Sequence, residues 1–158
     1  MTNVAELINE TNVRCHTSAA SRKRVLQMIA ELVVEPGSSA DTLFDGLMAR
    51  ERLGSTGLGE GVAIPHCRTN STQIRAAFIT LDQPIDYEAV DGEYVDILFV
   101  LVVPEEEQHA HLQALSQLAE VFSSAEHRVN LRACQSDQAL LSTLQNALNQ
   151  QATNVQSA

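Results

Sequence analysis

Apolar side chains recur every three or four residues along several stretches of the chain, which is the pattern of helices that bury one face. The first such stretch predicts a helix over about residues 21–35, which Pro36 ends. A second predicted helix follows Ser39 and ends at Gly54. The side chains expected to face inward from these two helices are Val25, Met28, Ile29, Leu32, Val33, Leu43, Phe44, Leu47 and Met48. Further helices are predicted over about residues 106–123, 126–133 and 136–148.

Shorter apolar runs between these helices predict strands. The pattern gives a short strand over residues 62–64 and longer strands over 74–81 and 95–103, the last of which contains the apolar run 97–103 and should be buried on both faces. Helices that alternate with strands are typical of a layered α/β domain with a largely buried sheet. We therefore expect one domain over residues 1–148, followed by a flexible polar tail over residues 149–158.

The excess of acidic over basic residues limits the classes of partner that the protein can bind. Ten basic residues stand against twenty acidic ones among 158, which gives a net charge of -10. Nucleic-acid backbones and anionic membranes both require a basic surface, so neither is expected as a partner. No apolar run approaches the roughly 20 residues that span a bilayer, and the N-terminus lacks the features of a signal peptide. Cys15, Cys67 and Cys134 are odd in number and widely spaced, so we expect reduced thiols and a cytoplasmic protein without membrane insertion.

A glycine-rich loop leads to the histidine with the clearest chemical potential. Four of the seven glycines lie within residues 54–61, where backbone N–H groups can cradle an anion, although a flexible turn is the ordinary alternative. Neither GxxxxGK[ST] nor GxGxxG is present, which disfavours a nucleotide site. The loop runs into the predicted strand, which Pro65 and His66 close. A neutral imidazole keeps one nitrogen lone pair and can attack phosphorus, although a structural role is common for such a histidine.

Two arginines precede the loop and could neutralise phosphoryl oxygens. Arg50 and Arg52 lie two positions apart on a helix and point to different sides, so only one of them should face the site, and their spacing does not decide which. Cys67 follows His66 in an extended segment and should point to the opposite face, where it packs rather than reacts.

Two further histidines raise the alternative of a zinc site. His109 and His111, with His66, could supply three ligands. On a helix, however, residues two apart diverge by about 200°, whereas a chelating pair needs the i, i+4 spacing. His111 lies on the apolar face near a helix N-terminus, which suits a neutral hydrogen-bond donor or a satisfied core histidine. We expect no metal ion at these residues.

Residues 50–67 together resemble a known family signature. Their sequence, RERLGSTGLGEGVAIPHC, is similar to that of EIIA proteins of the bacterial phosphoenolpyruvate-dependent phosphotransferase system, fructose/mannitol type, and the similarity extends over about residues 12–148. The resemblance implies a single α/β domain with a mixed sheet flanked by helices on both faces. It implies no cofactor.

The resemblance also implies roles for single residues. It implies that His66 accepts a phosphoryl group from a small histidine phosphocarrier protein of the HPr type. The family arginine at the end of the preceding helix corresponds to Arg50, and the family histidine that opens the later helix corresponds to His111. Ser55 and the loop backbone at Gly59 and Gly61 are expected to contact the phosphoryl oxygens.

Two residues depart from the family pattern. Cys67 stands where glycine is commonest, and Glu60 stands where a neutral residue is more usual, so its carboxylate would oppose a phosphoryl group unless it points outward. A partner that docks at the site needs an apolar rim, which we expect around Leu53, Leu58 and Val62.

Within the family, the helix start at residues 21–24 and the stretch 54–57 look most like the stand-alone nitrogen-regulatory EIIA. Such proteins resemble signalling devices whose phosphorylation state changes which transporters, sensor kinases or other regulators they bind. The alternative is a sugar-specific EIIA that passes the phosphoryl group to an EIIB of a fructose/mannitol-type permease. A histidine-ligated zinc hydrolase is a distant third reading.

Overall fold

A mixed six-stranded sheet lies between two layers of helices in the computed structural model, which describes residues 3–106 and 108–157. The strands are β1 (Val13–Thr17), β2 (Gly57–Gly59), β3 (Val62–Ala63), β4 (His66–Thr69), β5 (Arg75–Ile85) and β6 (Val95–Pro104). The helices are α1 (Arg22–Val33), α2 (Ala40–Arg52), α3 (Gln108–Phe122), α4 (Ala125–Ala133) and α5 (Asp137–Ser157), with a short 3-10 helix at Val4–Leu7. The α/β class and the single layered domain expected from the sequence are confirmed.

Strand β6 organises the sheet. The strand order is β1-β5-β6-β3-β2, and β4 also pairs with β6. Strands β5 and β6 are antiparallel, whereas β3 and β4 both run parallel to β6 and β1 runs parallel to β5. The first residue of β4, His66, pairs with Leu101 in the middle of the buried strand. Pairing with β6 therefore fixes the position of His66 along the strand direction of the sheet.

The two faces of β6 serve two separate hydrophobic cores. Ile97, Phe99, Leu101 and Val103 pack with α3, α4 and α5, and Leu98, Val100 and Val102 pack with α1 and α2. Successive side chains of a strand point to opposite faces, so a strand covered on both sides must be apolar throughout. The expectation that residues 95–103 are buried on both faces is confirmed except at Asp96, which is half-buried and paired with Arg132.

Serine side chains cap four of the helices within the described ranges. The serine oxygen accepts a hydrogen bond from the backbone N–H three residues later, which satisfies a donor that the helix itself leaves unpaired. The pairs are Ser21 with Arg24, Ser39 with Thr42, Ser124 with His127 and Ser136 with Ala139. These caps explain why the helix starts agree with the sequence pattern to within a few residues.

The last helix is longer than the pattern predicts. Helix α5 continues past residue 148 and ends at Ser157, because the residues beyond Leu148 include neither glycine nor proline to stop it. The expected helix end at 148 is therefore wrong, and the flexibility of residues 149–158 stays a prediction. None of the helices in the described ranges, α5 included, is long and apolar enough to cross a membrane.

Candidate active site

The end of α2 carries the first charged side chain of the site. At Gly54 the backbone turns with a φ of +146°, a conformation that favours glycine. Arg50 folds back at this turn, and its Nη1 donates a hydrogen bond to the carbonyl oxygen of Gly54 at 2.8 Å. The charge of Arg50 acts on both His66 and His111, lowering the pKa of each ring, whereas Arg52 is exposed to solvent. Of the two candidate arginines, Arg50 is the one beside the histidines.

The loop after α2 is held in place by short hydrogen bonds. Ser55 Oγ accepts from the N–H of Gly57 at 3.1 Å, and the N–H of Thr56 donates to the carboxylate of Glu51 at 3.0 Å. The carbonyl of Thr56 accepts from the N–H of Ile64 at 3.1 Å. Ser55 acts here as an acceptor inside the loop, and its expected contact with a phosphoryl group stays a prediction.

Two glycines of the loop pack against side chains other than the histidines. A Cβ added at Gly59 would lie 3.1 Å from the carboxylate of Asp91, and one added at Gly61 would collide with Arg132 and lie 3.1 Å from Asp96. Both residues take a positive φ, +94° and +84°. These contacts give Gly59 and Gly61 a structural reason to lack a side chain, and their expected contact with a phosphoryl group stays a prediction.

Glu60 points away from the site. Its exposed carboxylate lies 3.9 Å from Nη2 of Arg128 on α4, and its carbonyl oxygen accepts from Arg132 at 2.8 Å. The carboxylate is thus directed toward α4, and the effect of this departure on a phosphoryl group stays a prediction.

His66 presents one ring nitrogen for chemistry. Its Nδ1 lies 2.8 Å from the carbonyl oxygen of Ile64, and because a carbonyl can only accept, Nδ1 carries the proton and Nε2 keeps its lone pair. Burial lowers the pKa of His66 below its usual 6.5, and the charges of Arg50 and Arg68 lower it further; the bond to Ile64 and the charge of Glu51 act in the opposite direction. The ring is therefore neutral at pH 7, as a nucleophile must be.

His111 lies against His66 from the first turn of α3. The ring centroids are 5.1 Å apart with a tilt of 57°. His111 is 6 % exposed, and in the described part of the chain its Nδ1 has no hydrogen-bond partner. Burial is the largest cause that lowers the pKa of His111, and electrostatic interactions with His66, Arg68 and Arg50 lower it further. The structure thus brings His66, His111 and Arg50 together, as the sequence predicts.

Arg68 is a site residue that the sequence pattern did not reveal. It lies two positions after His66 in β4, on the same face of the strand, and its charge lowers the pKa of both histidines. The spacing of two would have identified it if β4 had been predicted, but residues 66–69 are too polar to stand out as a strand. The site therefore holds two arginines rather than one.

Cys67 and His109, the other candidates for chemistry, differ from the site residues in their surroundings. Cys67 is buried on the opposite face, where burial raises the pKa of its thiol to about 11, so it packs in the core as expected. His109 is exposed. Among the described residues, no group of three histidine, cysteine or carboxylate side chains is placed to hold a metal ion.

Three leucines that are close in sequence to residues of the site are exposed to solvent. Leu53 is 86 % exposed, Leu58 47 % and Leu112, next to His111, 61 %. Val62, which the sequence suggests as part of this rim, is buried in the core instead, because β3 pairs with both β2 and β6. Large exposed apolar side chains beside a polar site are typical of a surface that another protein contacts.

The fold and the site define a class: an α/β protein with a neutral histidine, unprotonated at Nε2, beside two arginines. The family model described as "Phosphoenolpyruvate-dependent sugar phosphotransferase system, EIIA 2" matches residues 6–147. The chain belongs to this family.

Its relatives include nitrogen regulatory proteins. The chain is 48 % identical to the nitrogen regulatory protein of Pseudomonas aeruginosa over 123 residues, which cover 76 % of this chain and 80 % of that protein. It is 36 % identical to the nitrogen regulatory protein of Escherichia coli K12 over 140 residues, 87 % of this chain and 86 % of that one. The crystal structure of IIA-Ntr from Neisseria meningitidis superposes with a TM-score of 0.86 at 36 % identity, covering 90 % of this chain and 99 % of that chain. The chain is thus an EIIA component most similar to the nitrogen-regulatory branch.

Proposed function

We propose that this protein carries a phosphoryl group on Nε2 of His66, which it accepts from an HPr-like phosphocarrier protein. The observation that carries the proposal is the 2.8 Å contact between His66 Nδ1 and the carbonyl of Ile64, which leaves Nε2 unprotonated. The neighbouring charges of Arg50 and Arg68 favour the arrival of an anion at that nitrogen. A cytoplasmic location is part of this proposal.

The transfer needs no acid or base from this chain. The Nε2 lone pair attacks the phosphorus in line, the N–P bond to the donor's histidine breaks, and its electron pair returns to the donor's ring. His66 keeps its Nδ1 proton throughout, and the carbonyl of Ile64 stabilises the positive charge that the ring gains. Arg50 and Arg68 offset the charge of the phosphoryl oxygens, and neutral His111 supplies an N–H donor. Positioning and charge stabilisation thus account for the catalysis, and the protein turns over no metabolite alone.

The phosphorylation state then acts as a signal. A phosphoryl group adds up to about two negative charges beside the apolar rim of Leu53, Leu58 and Leu112. A partner that buries this rim binds the two forms with different affinity, because the added charge must be desolvated or paired. The similarity to nitrogen regulatory proteins favours regulatory targets such as transporters or sensor kinases over the sugar-specific alternative, in which an EIIB would accept the group.

Labelling with a phosphorylated HPr-like donor tests the carrier function. The wild-type protein should gain a phosphate that is stable in base and labile in acid. His66→Ala should gain none, and His109→Ala, which removes an exposed histidine, should label as the wild type does. Label that persists in folded His66→Ala would refute the assignment.

A further inference from the structure

A buried polar cluster lies beneath the loop that leads to the active site. Glu51, Thr56 and Tyr87 are 4 %, 6 % and 0 % exposed. The Thr56 hydroxyl lies 2.9 and 2.7 Å from the two carboxylate oxygens of Glu51, and the Tyr87 hydroxyl lies 3.3 Å from that of Thr56. Burial, and then the charge of Glu51, raise the pKa of Tyr87 well above its usual range, so its O–H remains a donor. The carboxylate thus accepts hydrogen bonds from Thr56 although it lies in the core.

Hydrogen bonds connect this cluster to the reactive ring in three steps. The N–H of Thr56 donates to Glu51 at 3.0 Å. The N–H of Ile64 donates to the carbonyl of Thr56 at 3.1 Å. His66 Nδ1–H donates to the carbonyl of Ile64 at 2.8 Å. The carbonyl that fixes the His66 tautomer is therefore held by the loop, and the loop is held by Glu51.

We propose that Glu51 is a positioning residue for phosphoryl transfer, which sets the orientation and tautomer of His66 through Thr56 and Ile64. The inference rests on the proposed function, since the ring it positions is the proposed phosphoryl acceptor. Glu51 touches no reacting atom, and its hydrogen bonds reach His66 only through the loop.

The chemistry of the cluster favours positioning over stability as the role of Glu51. A carboxylate in a core loses its hydration, and an apolar side chain of similar volume often stabilises a protein as well or better. What an apolar side chain cannot do is accept the Thr56 N–H and O–H. The length of the Glu51 side chain, rather than its charge, is then the property that positions Thr56.

Two variants of Glu51 separate the effect of side-chain length from the effect of charge. Glu51→Gln keeps the length of the side chain and an acceptor for the Thr56 N–H, while its amide can donate to the Thr56 hydroxyl. Glu51→Asp keeps the charge but withdraws the carboxylate by one carbon–carbon bond. We expect Gln to retain the transfer rate within about threefold and Asp to lose about 10- to 100-fold, as is typical when a group that orients a reacting side chain is lost. The matched controls are Glu31→Gln and Glu31→Asp, at an exposed glutamate of α1.

The tautomer of His66 gives a readout that a merely structural role would not move. Nitrogen-15 shifts of the ring in the unmodified protein should report Nδ1–H in the wild type and in Glu51→Gln, and a mixture of tautomers in Glu51→Asp. Because this measurement needs no phosphoryl donor, it stands even if the wild-type protein proves not to accept a phosphoryl group. Single-turnover transfer at saturating donor then shows whether the loss lies in the rate constant rather than in donor binding.

Each outcome decides the proposal. The pattern of an active Gln protein and a slow Asp protein with mixed tautomers supports it. A folded Asp protein with wild-type tautomer and rate would overturn it. If Asp does not fold, Glu51→Leu, an apolar side chain of similar volume, takes its place: mixed tautomers and a slow rate in the folded Leu protein support the proposal, and wild-type tautomer and rate there overturn it. Loss of tautomer and rate in the Gln protein would assign the effect to charge and would also overturn the proposal.

Discussion

Replacing Gly61 by alanine should destabilise the fold both through the backbone conformation and through the neighbours of the new side chain. The backbone there has a φ of +84°, and the added Cβ would collide with the Arg132 guanidinium and lie 3.1 Å from Asp96. Arg132 would have to leave the Asp96 carboxylate, which it contacts at 3.0 and 3.1 Å, and the carbonyl of Glu60. The change therefore combines backbone strain with the loss of an ion pair.

The two contributions can be separated with a matched glycine. Gly37 has a nearly identical φ of +87°, but nothing lies within 4 Å of an added Cβ. Gly37→Ala should therefore cost only the left-handed strain, about 1 kcal/mol. Gly61→Ala should cost that amount plus about 1–2 kcal/mol for the charged hydrogen bonds of the partly exposed Arg132, which gives about 2–3 kcal/mol.

Urea unfolding of both variants measures the difference directly, through the shift of midpoint at constant slope. The double variant Gly61→Ala/Arg132→Ala removes the side chain that the new Cβ meets, so it should lose less than the sum of the two single changes, by about 1 kcal/mol. An equal loss in the free energy of unfolding for Gly37→Ala and Gly61→Ala would refute the reasoning, since only the neighbours of Gly61 distinguish the two positions.

The site makes three further predictions. NMR titration of the folded protein should give pKa values below 6.5 for both His66 and His111. Because the unfolded chain then binds protons at a higher pH than the folded protein does, the free energy of unfolding should fall as the pH drops below 6.5. A free energy of unfolding that does not change with pH in this range would contradict the lowered pKa values. Arg50→Ala should slow phosphoryl transfer by at least about 100-fold in stopped-flow assays with the donor, while Arg52→Ala should change it less than about threefold; equal rates for the two variants would exclude the role of Arg50. Arg68→Gln should raise the pKa of both histidines, and values unchanged from the wild type would remove Arg68 from the site.

The regular parts of the fold were predictable because their signals are local. The inward face of α1 repeats at helical spacing, and Ser21 caps the helix with its own oxygen. Strand β6 could be predicted from its apolar run alone. In contrast, β1 contains a single fully buried residue, Val13, and becomes a strand only by pairing with β5, more than 60 residues away. Strand β4 likewise depends on β6 for its partner.

The residues of the site also differ in whether the sequence alone could predict them. His66 follows a distinctive local segment, and Arg50 and His111 correspond to positions of a familiar signature, so all three were available from the sequence. Glu51 was not, because a glutamate between two arginines resembles a solvent-exposed charge. Its burial depends on Tyr87, which approaches from a distant part of the chain.

The phosphorus–nitrogen bond itself provides the most direct test of the central claim. Nitrogen-15 labelled protein, phosphorylated by an HPr-like donor and examined by phosphorus and nitrogen NMR, should show phosphorus coupled to Nε2 of His66, with the proton still on Nδ1. Phosphorus on Nδ1, on another residue, or on no residue of the folded protein would contradict the account.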